Sequence, residues 1–238
     1  LIFAKNQSVI NGLINYLMQV FEVKLVTSNC FLGIEINRDY KDSSIFLKQS
    51  QYVKGVIERY GMSDSKSVAT PMELNHPLNK LEVLETEILV DVPYREAVGS
   101  LLYCAMGTRP DMSYAMSVLS KYSGAPRKAH WEAIKRVIRY LKSTIDHGLM
   151  YRKVVDPKLV CFTDADWAGD HDNRRSVSGM ITMINSGPIS YHAQQQPVVA
   201  LSTTEAEYIS ACVAAQELVW LKRFLSELGT TFAQDALL

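Results

Sequence analysis

Lys158-Leu-Val-Cys-Phe-Thr-Asp-Ala-Asp166 is an apolar run ending in two acids. Ser202-Thr-Thr-Glu-Ala-Glu207 opens the long helical pattern that follows it after two further strand-like runs. The first run is too short for a helix and is bounded by the turn residues Asp156-Pro157 and Gly169-Asp170, so it reads as a strand that carries Asp164 at its end. Ser202 and Glu205 have capping-box spacing: the serine oxygen takes the orphan amide of Glu205, and that glutamate reaches back. Glu205 therefore has a structural task. On a 3.6-residue period Glu207 falls in line with Ala211, Ala214, Leu218, Leu221 and Leu225, the stripe expected to face a sheet. A carboxylate on that stripe is costly unless something positive meets it. Asp164 and Glu207 are thus expected to share one divalent cation, the opening half of a two-metal hydrolytic site.

Phe162-Thr-Asp-Ala-Asp-Trp-Ala-Gly-Asp170, Arg174-Arg-Ser-Val-Ser-Gly179, Gln196-Pro-Val-Val-Ala-Leu-Ser-Thr-Thr-Glu-Ala-Glu-Tyr208 and Trp220-Leu-Lys-Arg-Phe-Leu-Ser-Glu-Leu-Gly229 resemble the ribonuclease H region of copia-type LTR retrotransposon Pol polyproteins. The resemblance implies Asp164 as the strand ligand, Glu207 as the helix ligand and Asp166 as a further candidate metal ligand. It also implies two Mg²⁺ ions in the intact parent and an RNA–DNA hybrid as substrate. In that family a third carboxylate sits in a Cys-Asp-Asn segment soon after the Leu-Gly that ends the long helix. Here Asp235 is the only acid after Glu227. The expectation is a ribonuclease H-like domain truncated at its C-terminus, with at most one well-held Mg²⁺ site and no cleavage by this chain alone.

The composition is globular: 238 residues, 47% hydrophobic, with 25 basic and 25 acidic side chains. A net charge of zero provides no global attraction to nucleic acid, so any such binding must come from local patches. No apolar run approaches the ~18 residues of a membrane helix, and Leu1-Ile-Phe-Ala-Lys5 lacks the features of a signal peptide. No membrane partner is expected. Cys30, Cys104, Cys161 and Cys212 each lie among apolar residues without paired spacing, and read as reduced core thiols of an intracellular protein. The resemblance places the parent in the cytoplasm or a virus-like particle, with the nucleus open.

Asn6 to Val20 has apolar residues at helical spacing, and the segments 30–36 and 45–48 read as a hairpin followed by a helix from Ser50. Leu1-Ile-Phe-Ala4, Phe31-Leu-Gly-Ile-Glu-Ile36, Tyr60-Gly-Met-Ser-Asp64 and Ala69-Thr-Pro-Met72 resemble the end of the reverse transcriptase palm and the start of its thumb in the same family. The family's Tyr-Val-Asp-Asp turn would lie before Leu1, so no polymerase ligand is carried over. Helices are expected over 94–106 and 111–122, and Met106, Met112 and Met116 read as core filling. Pro93-Tyr-Arg-Glu-Ala-Val-Gly-Ser100 and Thr108-Arg-Pro-Asp111 also resemble family signatures.

In the helix predicted from Arg127 to Ser143, Trp131, Ile134, Ile138 and Leu141 form the apolar stripe, while Lys128, Lys135, Arg139 and Lys142 line another face. That cationic line could track phosphates or be a solvated face; the resemblance to a polymerase-to-nuclease connection favours nucleic-acid contact. His171 and His192 lack a second histidine at ligand spacing and read as structural.

The fold class is mixed, α+β / α/β. A reverse transcriptase palm-end hairpin and helical thumb/connection are followed by a truncated ribonuclease H-like sheet with one covering helix. The expected divisions are 1–72 palm and thumb, 73–92 linker, 93–150 helical connection and 151–238 ribonuclease H-like domain. The parent would act on RNA–DNA hybrids by two-metal chemistry alongside the remainder of the Pol polyprotein. The alternative is a non-catalytic remnant, or a co-opted protein that binds nucleic acid or a partner.

Overall fold

The apolar alternation of residues 159–166 builds the sheet that carries Asp164. In the computed structural model, which describes residues 4, 6–24, 29–73, 78, 91–170 and 172–230, β5 (Val160–Asp166) pairs antiparallel with β6 (Val177–Ile184), and β6 with β7 (Gly187–Gln195). The register sets Asp164 opposite Gly179, and Gly179 opposite Ala193. Leu159, Cys161 and Met180 turn to one face, where they close a small core with Ala214, Leu218 and Leu221 of α6 (Thr203–Glu227). Phe162 and Asp164 stand on the other face by strand alternation. The β6–β7 turn is the two residues Asn185 and Ser186, both at positive φ, and Gly187 follows. A Cβ on Gly187 would lie 2.4 Å from the Tyr151 ring, so only glycine fits where the hairpin tip meets Tyr151.

The first sheet has the order β1 (Cys30–Phe31), β2 (Ile34–Asp39), β3 (Ser44–Lys48), β4 (Gly148–Arg152), all antiparallel. The hairpin of β2 and β3 forms near where the apolar pattern puts it, but residues 30–36 are not one strand: the chain turns at Leu32 and Gly33, both at positive φ, and β1 folds back on β2. The pattern also gives no strand for β4. β4 pairs with β3 and spans the boundary drawn between residues 150 and 151. The Tyr151 hydroxyl donates to the Pro188 carbonyl at 2.5 Å, which joins this sheet to the tip of the other.

Between the sheets lies the helical body: α2 (Ser50–Arg59), α3 (Tyr94–Thr108), a 3₁₀ turn at Pro110–Met112, α4 (Ser113–Ser120) and α5 (Lys128–Ser143). Ile134, Ile138 and Leu141 of α5 are fully buried against Val53, Leu101 and Met116, as their spacing requires. Arg109 is buried at the end of α3 and is fully engaged. It donates to both carboxylate oxygens of Asp111, to the Thr144 carbonyl at 3.0 Å and to Thr144 Oγ1 at 2.7 Å, and so closes the C-terminus of α5. The Tyr140 hydroxyl completes the network by donating to Asp111 at 2.6 Å. The Thr108-Arg-Pro-Asp111 signature is thus a clasp around a buried arginine.

Several expectations are corrected. Met112 and Met116 fill the core, but Met106 is exposed, its helix face left outside by the packing of α3 on α4. Cys104 and Cys161 are buried thiols, whereas Cys30 and Cys212 are exposed. α1 (Gln7–Val20) forms at its apolar spacing, yet none of its residues is buried. In place of one covering helix, the second sheet carries α6 on one face and α4 against β7 on the other. His171 and the expected linker beyond residue 73 fall largely outside the described residues. Among those described, no helix is long and apolar enough to cross a membrane.

His130 generates a pH dependence. It is buried in the first turn of α5, stacked on Tyr122 at 3.8 Å, and its Nδ1 accepts the Arg127 amide at 3.1 Å. Burial, then the Arg127 charge, lowers its pKa from 6.5 to about 4. The unfolded chain takes up a proton that the folded chain refuses, so stability falls as pH drops from 6.5 toward 4 and this loss is complete below that. Urea unfolding across this range should show the fall, and His130→Gln should flatten it; an unchanged slope in the variant would remove His130 as the cause.

Candidate functional site

The start of α6 is fixed by local hydrogen bonds that assign Glu205 and Glu207 different surroundings. Ser202 Oγ accepts the Glu205 amide at 3.1 Å, and the Glu205 carboxylate returns to accept the Leu201 amide at 2.6 Å. Glu205 is therefore engaged at its own helix start, as its spacing predicts. The buried stripe runs through Ala206, Ser210, Ala214, Leu218 and Leu221. Glu207 is in line with Ala214 and Leu218 as its spacing predicts, but it is exposed at the helix start, which corrects the expectation that it is buried against the sheet. The phase is set by a polar residue: Ser210 Oγ donates to the Asp164 carbonyl at 2.9 Å and lies 2.6 Å from Thr163 Oγ1. Glu207 sits one turn before this staple.

Asp164 is exposed on the face of β5 opposite α6. It opens on a cleft of about 300 Å³ between the sheet and α4, lined by Pro110, Tyr114, Phe162, Ile181 and Tyr191. The Asp166 carboxylate is folded onto its own turn, where a Cβ on Gly169 would come within 2.0 Å of it. Burial, then the charges of Asp166 and Asp170, raises the pKa of the neighbouring Tyr114 hydroxyl. Two exposed carboxylates are hard oxygen donors of the kind Mg²⁺ prefers. Among the described residues, however, no three His, Cys, Asp or Glu side chains converge to hold a metal ion. Asp164 opens on the α4 side of the sheet while Glu207 stands on α6, so the two carboxylates come from different elements.

The residue pattern did not single out the groups that hold this end of the sheet together. Asp170 is buried and accepts from Lys121 Nζ at 2.5 Å, from Gln195 Nε2, and from the Asp172 amide at 2.8 Å. Burial opposes its charge, but the Lys121 ammonium and the loop amides outweigh that and hold its carboxyl below the usual range. Gln196 is also buried; its Nε2 donates to Ser178 Oγ and to the Ala206 carbonyl, both at 2.9 Å, which ties β6 to the first turn of α6. Trp167 Nε1 donates to the Ala200 carbonyl at 3.1 Å. These residues lie within the motifs already quoted, but an acid bound for burial looks in sequence like any loop acid.

On α5 the four expected cations do share a face, though not an open one. Lys128 is exposed. Lys135 is paired with Glu132 at 2.5 Å, Arg139 donates to the Lys66 carbonyl at 2.5 Å, and Lys142 to the Ser65 carbonyl at 2.7 Å. The row expected to be wholly solvent-facing is in part covered by residues 65–73. His192, read as structural, lines the rim of the Asp164 cleft.

No protein-family model matches the chain, and no solved structure matches it. It is 42% identical over 234 residues to the retrovirus-related Pol polyprotein from transposon TNT 1-94 of Nicotiana tabacum, a match covering 96% of this chain and 18% of that one. It is also 42% identical over 199 residues to the Pol polyprotein from transposon RE2 of Arabidopsis thaliana, 84% of this chain and 13% of that one. An uncharacterized mitochondrial protein of Arabidopsis thaliana is 36% identical over 222 residues, 92% of this chain and 90% of its own length. The chain thus spans under a fifth of the length of the transposon polyproteins it matches.

Asp170→Asn should lower unfolding stability by about 1–3 kcal/mol, because it weakens a buried charged acceptor that serves two side chains and an amide. Chemical denaturation at pH 7 measures this, and the same substitution at half-buried Asp172 should cost less. Equal losses at the two sites would mean that Asp170 is not the anchor.

Proposed function

Because the chain belongs to the Pol polyproteins of copia-type retrotransposons, we propose that it is their stretch joining the end of the reverse transcriptase to the first half of the ribonuclease H, with Asp164 and Glu207 acting in hydrolysis of the RNA strand of an RNA–DNA hybrid. The observation that carries this reading is the Ser210 staple. It fastens the first turns of a long helix across the strand segment bearing Asp164, and leaves two carboxylates exposed near that junction.

Each residue then has a distinct task. Glu205 caps α6 and is spent on the Leu201 amide. Ser210 and Gln196 fix α6 on the sheet. Asp164 and Glu207, with no buried cation to neutralise, are the groups that would hold Mg²⁺. When bound, Mg²⁺ would activate the attacking water and stabilise the leaving oxygen. Two carboxylates leave that set incomplete, so the described residues would need a further acid from the polyprotein to hydrolyse a phosphodiester. Lys128 and its neighbours on α5 would meet hybrid phosphates, at a cost in affinity as salt rises.

A second reading is favoured by one observation. The mitochondrial relative is matched over nine-tenths of its own length, so a protein of about this extent occurs apart from a polyprotein. On that reading the chain is a non-catalytic remnant or co-opted binder that keeps the fold.

The two readings separate on activity. In the polyprotein containing this region, Asp164→Asn and Glu207→Gln should each reduce Mg²⁺-dependent cleavage of a labelled hybrid by roughly 10³-fold or more, the several kcal/mol of barrier carried by metal-held oxygens. Glu205→Gln should retain most of the rate. Full cleavage by both acid variants would overturn the assignment, and no cleavage by the unaltered polyprotein would favour the binder.

A further inference from the structure

Residues 65–73 lie along α5 as a strap, held by that helix's polar side chains. Besides the bonds from Arg139 and Lys142, Ser143 Oγ donates to the Val68 carbonyl at 2.8 Å. Arg136 donates from Nη2 to Thr70 Oγ1 at 3.1 Å and from Nη1 to Glu73 at 2.7 Å. Under the strap is a cleft of about 320 Å³ whose walls include Pro71, Met72, Ala133, Arg136 and Arg139. Glu132 also reaches it, with its charge met by Lys135.

Arg136 is unusual in this setting. Its Nε–H is buried and has no hydrogen-bond partner, although its other two nitrogens are engaged. A guanidinium offers its donors in a planar fork that a phosphate group matches bidentately. Glu73 meets only one arm of that fork, and its side chain is 64% exposed. Exposed ion pairs of this kind contribute little to stability and yield to a competing anion.

We propose that the cleft between the strap and α5 is a phosphate-binding site built on Arg136 and Arg139, that its ligand is a backbone phosphate of nucleic acid, and that Glu73 is an internal stand-in which the phosphate displaces. The choice of nucleic acid rests on the hybrid-binding reading above. The phosphate chemistry rests on the two guanidinium groups and the orphan donor alone. Displacing Glu73 releases a carboxylate to solvent and gives Arg136 an acceptor for Nε. The strap thereby makes hybrid binding weaker than the number of cations on α5 suggests.

Fluorescence anisotropy of a labelled RNA–DNA hybrid, titrated with the full chain over a range of salt, tests this. Glu73→Gln should tighten binding by roughly 3- to 10-fold at low salt and steepen the log–log salt slope by about one unit, one further phosphate contact. Adding Arg136→Ala to that variant should remove both gains. Hybrid binding that Glu73→Gln leaves unchanged, or a gain that survives Arg136→Ala, overturns the proposal and leaves the nuclease reading standing. A second arm titrates inorganic phosphate by calorimetry. Phosphate binding gained by Glu73→Gln and lost with Arg136→Ala, with no hybrid bound by any variant, overturns nucleic acid as the ligand together with the hybrid-binding reading. Phosphate binding in step with tightened hybrid binding supports the proposal.

Discussion

Lys121 and Asp170 form the ion pair on which the arrangement of helices and sheet depends. The Asp170 side chain is 1% exposed, and a carboxylate so placed must be met by charge and hydrogen bonds or it will not stay ionised. Its partners come from three places: the residue after α4, the end of β7, and the loop that follows β5. Satisfying one acid therefore fixes the helical body against the sheet. The cleft beside Asp164 exists because α4 is held at that distance. The turn carrying Asp166 begins the same loop, so its position follows too.

Where the period was long and the residues distinct, the fold was legible in the sequence. α5 shows this, with Ile134, Ile138 and Leu141 at helical spacing and all buried, and so does the strand ending at Asp166. β4 was not legible: five residues a short turn after a helix gave no alternation to read, and its strand state comes from pairing with β3, far away in sequence. The stripe of α6 was legible at Ala214, Leu218, Leu221 and Leu225, which pack on the second sheet, but its first turns were not. There Glu207 is exposed and Ser210 reaches the backbone of β5 instead, and a buried serine has no hydropathy signal.

The cations of α5 show why a site is harder to read than a helix. Spacing placed Lys128, Lys135, Arg139 and Lys142 on one face, and they lie there. Their acceptors were hidden, because two are backbone carbonyls of residues 65 and 66 and carbonyls have no residue code. The same row of charge can hold a strap or track phosphates, and the contacts made by residues 65–73 determine how much is left for a ligand. Arg136, off the row that spacing singled out, has the buried unsatisfied donor.

The charges of this protein divide into those consumed by the fold and those that the fold leaves over. Asp111 neutralises the buried Arg109 and Lys121 the buried Asp170, and Glu205 completes a helix cap. Asp164 and Glu207 are exposed and take no part in those networks, although the backbone beneath them is tightly stapled by Thr163, Ser210 and Gln196. A side chain left open on a rigid support can bind a cation without first being ordered, which reduces the entropy lost on binding. Rigid backbone beneath uncommitted carboxylates is what a ligand set needs and what a merely solvating pair of acids does not. Support of this kind, more than the presence of two acids, is the physical ground for reading the β5–α6 junction as a site.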